Sequence, residues 1–177
     1  TLYLGANPLN ASATAVEGDY VTRDGESFYR IANVDGMDDF FISVVSDSNH
    51  WMFISTRGGL SAGRTDCDSA LFPYYTEDKI RDNSDNTGSR TIVIADQGGK
   101  RMLWEPFSRS HTGIYSITRN LYKNVLGDKL IFEETNHDLG LQFTYSWSTS
   151  DRFGFVKQST IAATGNAKSR IEILDGI

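Results

Sequence analysis

The sequence predicts an all-β protein, an antiparallel β-sandwich, and three observations support that fold class. Residues 141–147 alternate strictly between apolar and polar, the period of a strand with one buried face. Segments rich in Ile, Val, Thr, Tyr and Phe recur at a spacing of roughly 10 residues, separated by Gly, Asn and Asp, as in sandwiches and barrels. Helical periodicity is nearly absent.

Each predicted strand is a β-prone run bounded by turn residues. In chain order these runs are residues 40–45, 51–54, 91–95, 114–122, 129–135, 141–147, 153–162 and 169–177. Alternation within 141–147 places Leu141, Phe143, Tyr145 and Trp147 on one face. The pair Gly98 and Gly99 between two β-prone runs predicts a hairpin turn.

Composition excludes several classes of protein. The 177 residues predict one domain, with 39% hydrophobic residues to fill its core. The net charge of −6 and the scattered basic residues argue against nucleic acid as a partner. No apolar run approaches the roughly 18 residues of a membrane span. Because the single Cys67 excludes an internal disulfide, we expect a reducing, cytoplasmic location.

The two ends of the chain suggest a module of something larger. The sequence begins at Thr1 rather than Met, and its last residues read as a strand that continues to Ile177. Nothing after that strand closes the predicted sheet. We therefore expect residues 1–177 to be a single β-sandwich domain, incomplete as a sandwich, from a larger protein.

Residues 55–80 are the most distinctive segment, and we expect them to form one long functional loop. They carry a Gly–Gly pair, two arginines, three aspartates and a Phe-Pro-Tyr-Tyr cluster. A connection of that length in a compact domain is usually functional or disordered, and its aromatic residues argue against disorder. Two stretches within it, 66–70 and 76–80, suit short helical turns, with Asp68 as the cap of the first.

No catalytic, metal or cofactor motif stands out. The three histidines are far apart, a lone cysteine cannot build a thiolate zinc site, and the aspartates around Cys67 lack the other ligands of a calcium loop. Adjacent residues of a strand face opposite sides, so Glu133 and Glu134 cannot act as a pair. We therefore expect no catalytic residue, no metal and no cofactor in this chain.

The polar and aromatic side chains of the predicted loop favour sugar binding. Sugars are bound by aromatic faces together with planar polar groups that hold their hydroxyls. The side chains expected to line such a site are Arg57, Arg64, Asp66, Asp68, Tyr74 and Tyr75. Further candidates for stacking or hydroxyl binding are Trp51, Trp104, Glu105 and Phe107. Trp51 and Trp147 lie in apolar strands, which favours a place in the core for both.

Four segments carry a resemblance to a known family. Residues 54–61 (ISTRGGLS) resemble the strand and Gly-rich turn near the front of cellobiose and chitobiose phosphorylase-type enzymes. Residues 101–107 (RMLWEPF) resemble a strand end of those enzymes, and 153–161 with 170–176 resemble their later strands. The similarity spans about two thirds of the chain, from Asp38 onward. Residues 70–76 (ALFPYYT) replace a more basic run of the family, which leaves the substrate open.

The resemblance implies a fold and a partner. It implies a galactose mutarotase-like β-supersandwich that packs against a downstream (α/α)6 catalytic domain or a partner subunit, in a glycoside phosphorylase or hydrolase. By that resemblance the present chain would be a non-catalytic module that shapes an oligosaccharide or sugar site.

Two other functions stay open. One is a mutarotase-like sugar epimerase, which needs a His and a Glu across a sugar-sized gap. His111 or His137 with Glu105 or Glu133 would have to supply that pair. The other is a stand-alone carbohydrate-binding module.

Overall fold

The computed structural model describes residues 2–4, 7–8, 14–72, 77–166 and 168–177, and it confirms the all-β prediction. The described residues form fifteen strands and one short α-helix, α1 (Glu77–Asp82). The strands in chain order are β1 (Tyr3–Leu4), β2 (Asn7–Pro8), β3 (Glu17–Arg23), β4 (Glu26–Ala32), β5 (Phe41–Val44), β6 (His50–Ser55), β7 (Leu60–Arg64), β8 (Ala70–Phe72), β9 (Arg90–Gln97), β10 (Lys100–Trp104), β11 (Ile117–Asn124), β12 (Lys129–Asn136), β13 (Leu141–Ser150), β14 (Gly154–Ala163) and β15 (Arg170–Gly176).

The strands pair in antiparallel sheets. The largest has six strands in the order β14-β13-β12-β11-β4-β3. A second sheet has four strands in the order β5-β6-β7-β8, and a third has three in the order β10-β9-β15. The short strands β1 and β2 pair with each other. In the three-stranded sheet, β15 is an edge strand, and it pairs with β9 on one side.

One face of the six-stranded sheet forms the core with the two smaller sheets. The predicted face of β13 is confirmed, since Leu141, Phe143, Tyr145 and Trp147 are all at most 5% exposed. They join one hydrophobic cluster with buried residues of the other sheets, such as Ile54 from the four-stranded sheet and Val93, Ala95 and Trp104 from the three-stranded sheet. The fold is therefore a β-sandwich whose second layer is divided into two sheets.

The hairpin of β3 and β4 was not predicted, although its turn had a sequence signal. Arg23 pairs with Glu26 across a two-residue loop of Asp24 and Gly25, which have φ of 50° and 81°. Positive φ at both loop residues is the twist that hairpins prefer, and Asp-Gly is a favoured sequence for it. The predicted turn at Gly98 and Gly99 is confirmed with the same geometry, at φ of 56° and 78°.

Residues 55–80 differ from the expected single long loop, since β7, β8 and the start of α1 lie within them. The physical reason is visible at Gly63, whose backbone lies against the ring of Trp51 and the backbone of Ala70. A Cβ on Gly63 would come within 2.5 Å of the Trp51 ring. This glycine thus serves close packing between strands rather than flexibility.

Among the described residues, no helix is long and apolar enough to cross a membrane.

Candidate functional site

A cleft of about 380 Å³ opens over β11 and β12 of the six-stranded sheet, between the chain that follows β6 and the connection from β10 to β11. Phe107 and Phe132 supply aromatic surface to its lining. The polar residues around them come from five places in the chain. They are Asp35 after β4, Asp39 before β5, Thr56 and Arg57 after β6, Arg109 and Thr112 in the connection from β10 to β11, and Arg119 and Asn120 of β11.

A buried carboxylate holds one side of this cleft together. Glu134 is 1% exposed and accepts three hydrogen bonds, each of 2.7 Å. The donors are Nε1 of Trp104, the backbone N–H of Phe107 and Nε of Arg119. The Arg119 guanidinium also donates to the carbonyl of Ser108 over 3.2 Å. Glu134 therefore fixes both a cleft arginine and the start of the connection that carries Phe107.

Phe107 has an unusual backbone conformation within this network. Its φ is 64°, in the left-handed region that bulky residues rarely adopt. Its ring makes edge-to-face contacts with Phe132, Phe143 and Tyr145 at centroid distances of 5.3–6.4 Å. Strained backbone persists where its surroundings determine it, often at functional sites. Here the bond to Glu134 and the ring contacts hold Phe107 at the cleft lining.

The opposite side of the cleft is built on the tight turn between β6 and β7. Nε of Arg57 donates to Oδ1 of Asp39, which orients the guanidinium. Gly58 follows with φ of 87°, and its carbonyl faces Gly88 so closely that a Cβ there would lie 2.0 Å away. The Arg57–Asp39 pair and the close approach of Gly88 to Gly58 thus fix the turn, and they hold Arg57 at the cleft.

Arg109 is an exposed cation of the cleft. It forms no ion pair with any other residue that the structure describes, unlike Arg57 and Arg119. Its planar guanidinium therefore keeps its donors for water or a ligand. The combination of aromatic surface, fixed Arg–carboxylate pairs and a free guanidinium suits a ligand with several hydroxyl groups.

The other predicted site residues do not join this cleft. Arg64 lies at the far end of β7 from Arg57 and lines a different cavity. Asp66, rather than Asp68, caps the short helix Cys67–Ser69, by accepting a hydrogen bond of 3.0 Å from the N–H of Ser69. Asp68 lies exposed within that helix. Tyr74 and Tyr75 lie outside the described residues.

The residues considered for acid–base chemistry either lie apart or form hydrogen bonds with other groups of the protein. Glu133 and Glu134 project from opposite faces of β12, as predicted. Glu133 accepts hydrogen bonds from Arg23, Asn120 and Tyr122 on the outer face. Burial and the hydrogen bond to Glu133 raise the pKa of Tyr122 to about 12, so its hydroxyl stays protonated at neutral pH.

The histidines proposed for an epimerase have no carboxylate partner within the described part of the chain. His137 contacts the hydroxyl of Thr118 over 2.6 Å, and Glu105 instead accepts from Arg90 over 2.7 Å. Trp104 is 1% exposed and bonded to Glu134, so it belongs to the core rather than to a stacking surface. The described residues also contain no group of three or more His, Cys, Asp and Glu side chains that could hold a metal ion.

Comparison with known proteins adds no family assignment. No protein-family profile matches the sequence, and no curated protein is significantly similar to it.

Proposed function

We propose that the protein is a non-catalytic carbohydrate-binding β-sandwich module that holds a sugar in the cleft lined by Arg57, Phe107 and Arg109. The observation that carries the proposal is the arrangement around Arg109. Its guanidinium is free of ion pairs in the described chain, and it lines the same cleft as the ring of Phe107 and the Arg57–Asp39 pair. An aromatic surface with fixed planar polar groups is the combination that a pyranose ring and its hydroxyls require.

The parent protein in this proposal is a glycoside phosphorylase- or hydrolase-like enzyme. The support is the sequence resemblance of residues 54–61, 101–107, 153–161 and 170–176 to cellobiose and chitobiose phosphorylase-type enzymes. Two of these segments, 54–61 and 101–107, contribute Arg57 and Phe107 to the cleft. A downstream (α/α)6 domain or a partner subunit would then supply the catalytic groups.

The test is sugar binding by the purified chain, measured by titration calorimetry and by NMR with cellobiose and chitobiose as probes. Arg109→Ala should weaken binding at least tenfold because it removes a charged hydrogen-bond donor, about 1.5–3 kcal/mol. Arg170→Ala is the matched control, since Arg170 is exposed on β15, away from the cleft lining. Binding should be unchanged in that variant.

Two results would overturn the proposal. One is the absence of binding of either disaccharide at about 10 mM, where even weak complexes are populated. The other is equal binding by wild type and Arg109→Ala. Accelerated interconversion of glucose anomers, followed by polarimetry, would instead favour a mutarotase-like enzyme.

A further inference from the structure

A second cavity, of about 430 Å³, lies at the other end of β7 from the cleft. Its lining combines apolar side chains of β8 with those of the turn from β13 to β14. Leu71 and Phe153 are 68% and 72% exposed beside this cavity. Such clustered apolar exposure is uncommon on a protein surface without a binding role.

The cationic groups of this cavity are the second observation. Arg64 and Arg152 line it, and neither forms an ion pair with another residue in the described ranges. Lys157 is already engaged, since its Nζ donates to Asp175 over 2.7 Å. Asp151 is the carboxylate in the lining. The Arg152 guanidinium lies over the Phe153 ring, 5.1 Å from its centroid. Two guanidiniums without an ion pair in the described ranges, against one aspartate, give the side chains of the lining a positive balance in a chain whose net charge is −6.

A buried donor without a partner is the third observation. Trp147 lines this cavity and is 1% exposed, and its Nε1 has no hydrogen-bond partner. Buried donors are normally paired, so an orphaned indole N–H calls for an explanation such as a bound ligand.

Part of the wall is rigid. The ring of His50 contacts Oγ of Ser48 over 3.0 Å and packs edge-to-face on Phe155 at 5.2 Å. Gly154 leaves the room for this packing, because a Cβ there would lie 3.1 Å from Nε2 of His50. The aromatic wall is therefore preformed, as in most small-molecule sites.

We propose that this cavity is a separate binding site for a small organic anion with an apolar face, a carboxylate or a phosphate ester. The apolar body would pack on Phe153 and Phe155, and the oxyanion would bind between Arg64 and Arg152. Guanidinium groups bind both oxyanions through pairs of parallel hydrogen bonds. This site uses none of the residues of the carbohydrate cleft, so the two proposals stand or fall separately.

The test distinguishes binding through the anionic group of the ligand from binding through its aromatic ring. Phenyl phosphate and phenylacetate carry both, benzyl alcohol carries the ring alone, and inorganic phosphate carries the charge alone. In titration calorimetry we expect at least one of the two aryl anions to bind at least tenfold more tightly than benzyl alcohol and inorganic phosphate. Binding of phenyl phosphate alone or phenylacetate alone would identify the phosphate ester or the carboxylate as the preferred group.

Variants locate the site. The double variant Arg64→Ala with Arg152→Ala should lose at least tenfold in affinity for the bound anion, and Phe153→Ala should weaken it as well. Arg170→Ala is again the matched control, and far-UV circular dichroism should show all variants folded. In NMR spectra, the bound anion should shift the indole N–H resonance of Trp147, which is identified by its loss in Trp147→Phe.

The proposal is overturned if benzyl alcohol or inorganic phosphate binds as tightly as the aryl anions, or if neither aryl anion binds. It is also overturned if the double arginine variant keeps wild-type affinity.

Discussion

The indole Nε1 of Trp104 donates a 2.7 Å hydrogen bond to Oε1 of Glu134, and both side chains are 1% exposed. The bond joins the last residue of β10 to the middle of β12, which belong to different sheets of the sandwich. Because the other oxygen of Glu134 accepts from Phe107 and Arg119, one carboxylate connects the core to the candidate cleft.

Replacing this carboxylate should be costly. Glu134→Gln removes the charge opposite Arg119 and turns one acceptor into an N–H group that faces a donor. Breaking a buried ion pair by removing one partner typically costs 3–5 kcal/mol, and we expect a loss of about 3 kcal/mol here. Urea unfolding followed by circular dichroism measures it.

The matched control is Glu172→Gln, which removes the exposed partner of Arg101. Exposed ion pairs contribute under about 1 kcal/mol, so this variant should be close to wild type. Similar losses for the two variants would show that burial of Glu134 has no energetic role.

Most of the strands could be predicted from the sequence because their periodicity is local information. Alternation identified the buried face of β13, and Gly98 with Gly99 identified a hairpin turn. The division of the second layer into two sheets could not be predicted, because it depends on which strands pair over long range. The strands within residues 55–80 were missed for the same reason, since the close approach of Gly63 to Trp51 and Ala70 depends on that pairing.

The candidate site was predicted only in part. Arg57 and Phe107 were named from the sequence, and both line the cleft. Glu134 was considered only as a member of a pair with Glu133. A glutamate that alternates with the apolar Leu130 and Phe132 of β12 was a signal for a buried charge, but its donors come from β10, β11 and the connection between them. Arg109 gave no local signal.

A glycine that faces a backbone should be less replaceable than one that faces solvent. A Cβ at Gly88 would lie 2.0 Å from the carbonyl oxygen of Gly58, in the turn that carries Arg57. Gly98 also has positive φ, but nothing lies within 4 Å of its Cβ position. Gly98→Ala should therefore cost only the backbone term, about 1–2 kcal/mol.

Gly88→Ala adds a steric clash to that term, so we expect a loss larger by at least about 1 kcal/mol. The measurement is the difference in unfolding free energy between the two variants in urea. Equal losses of unfolding free energy would mean that the chain around Gly58 moves to admit the new Cβ without a measurable loss of stability.

The buried face of β13 should carry much of the stability. Phe143 is 1% exposed within the core, and Phe143→Ala should cost about 3–5 kcal/mol through lost burial and the cavity left behind. Thr144 lies on the opposite face of the same strand, and Thr144→Ala should cost under about 1 kcal/mol. A loss under about 1 kcal/mol for Phe143→Ala in urea titration would contradict its placement in the core.

Asp175 should make stability depend on pH, because it links β15 to two other strands. Its Oδ1 accepts from Nζ of Lys157 on β14 over 2.7 Å and from Oγ1 of Thr91 on β9 over 2.6 Å. Partial burial opposes ionisation, but the hydrogen bonds from Lys157 and Thr91 outweigh it and lower the pKa of Asp175 below its usual value.

A lowered pKa in the folded state means that the folded protein binds fewer protons than the unfolded chain in acid. Asp175 therefore contributes its full stability above the pKa of an unfolded aspartate, about 3.9, and loses it as the pH falls through the folded pKa. Asp175→Asn should be less stable than wild type by about 1 kcal/mol at pH 7, and this difference should shrink below about pH 4. Urea unfolding of both proteins between pH 7 and pH 2 measures the difference. The control is Asp47→Asn, at an exposed position, whose unfolding free energy should stay within about 0.5 kcal/mol of wild type throughout. If the difference for Asp175→Asn instead grew as the pH fell, the carboxylate would be stabilised in the unfolded chain rather than in the native contacts with Lys157 and Thr91.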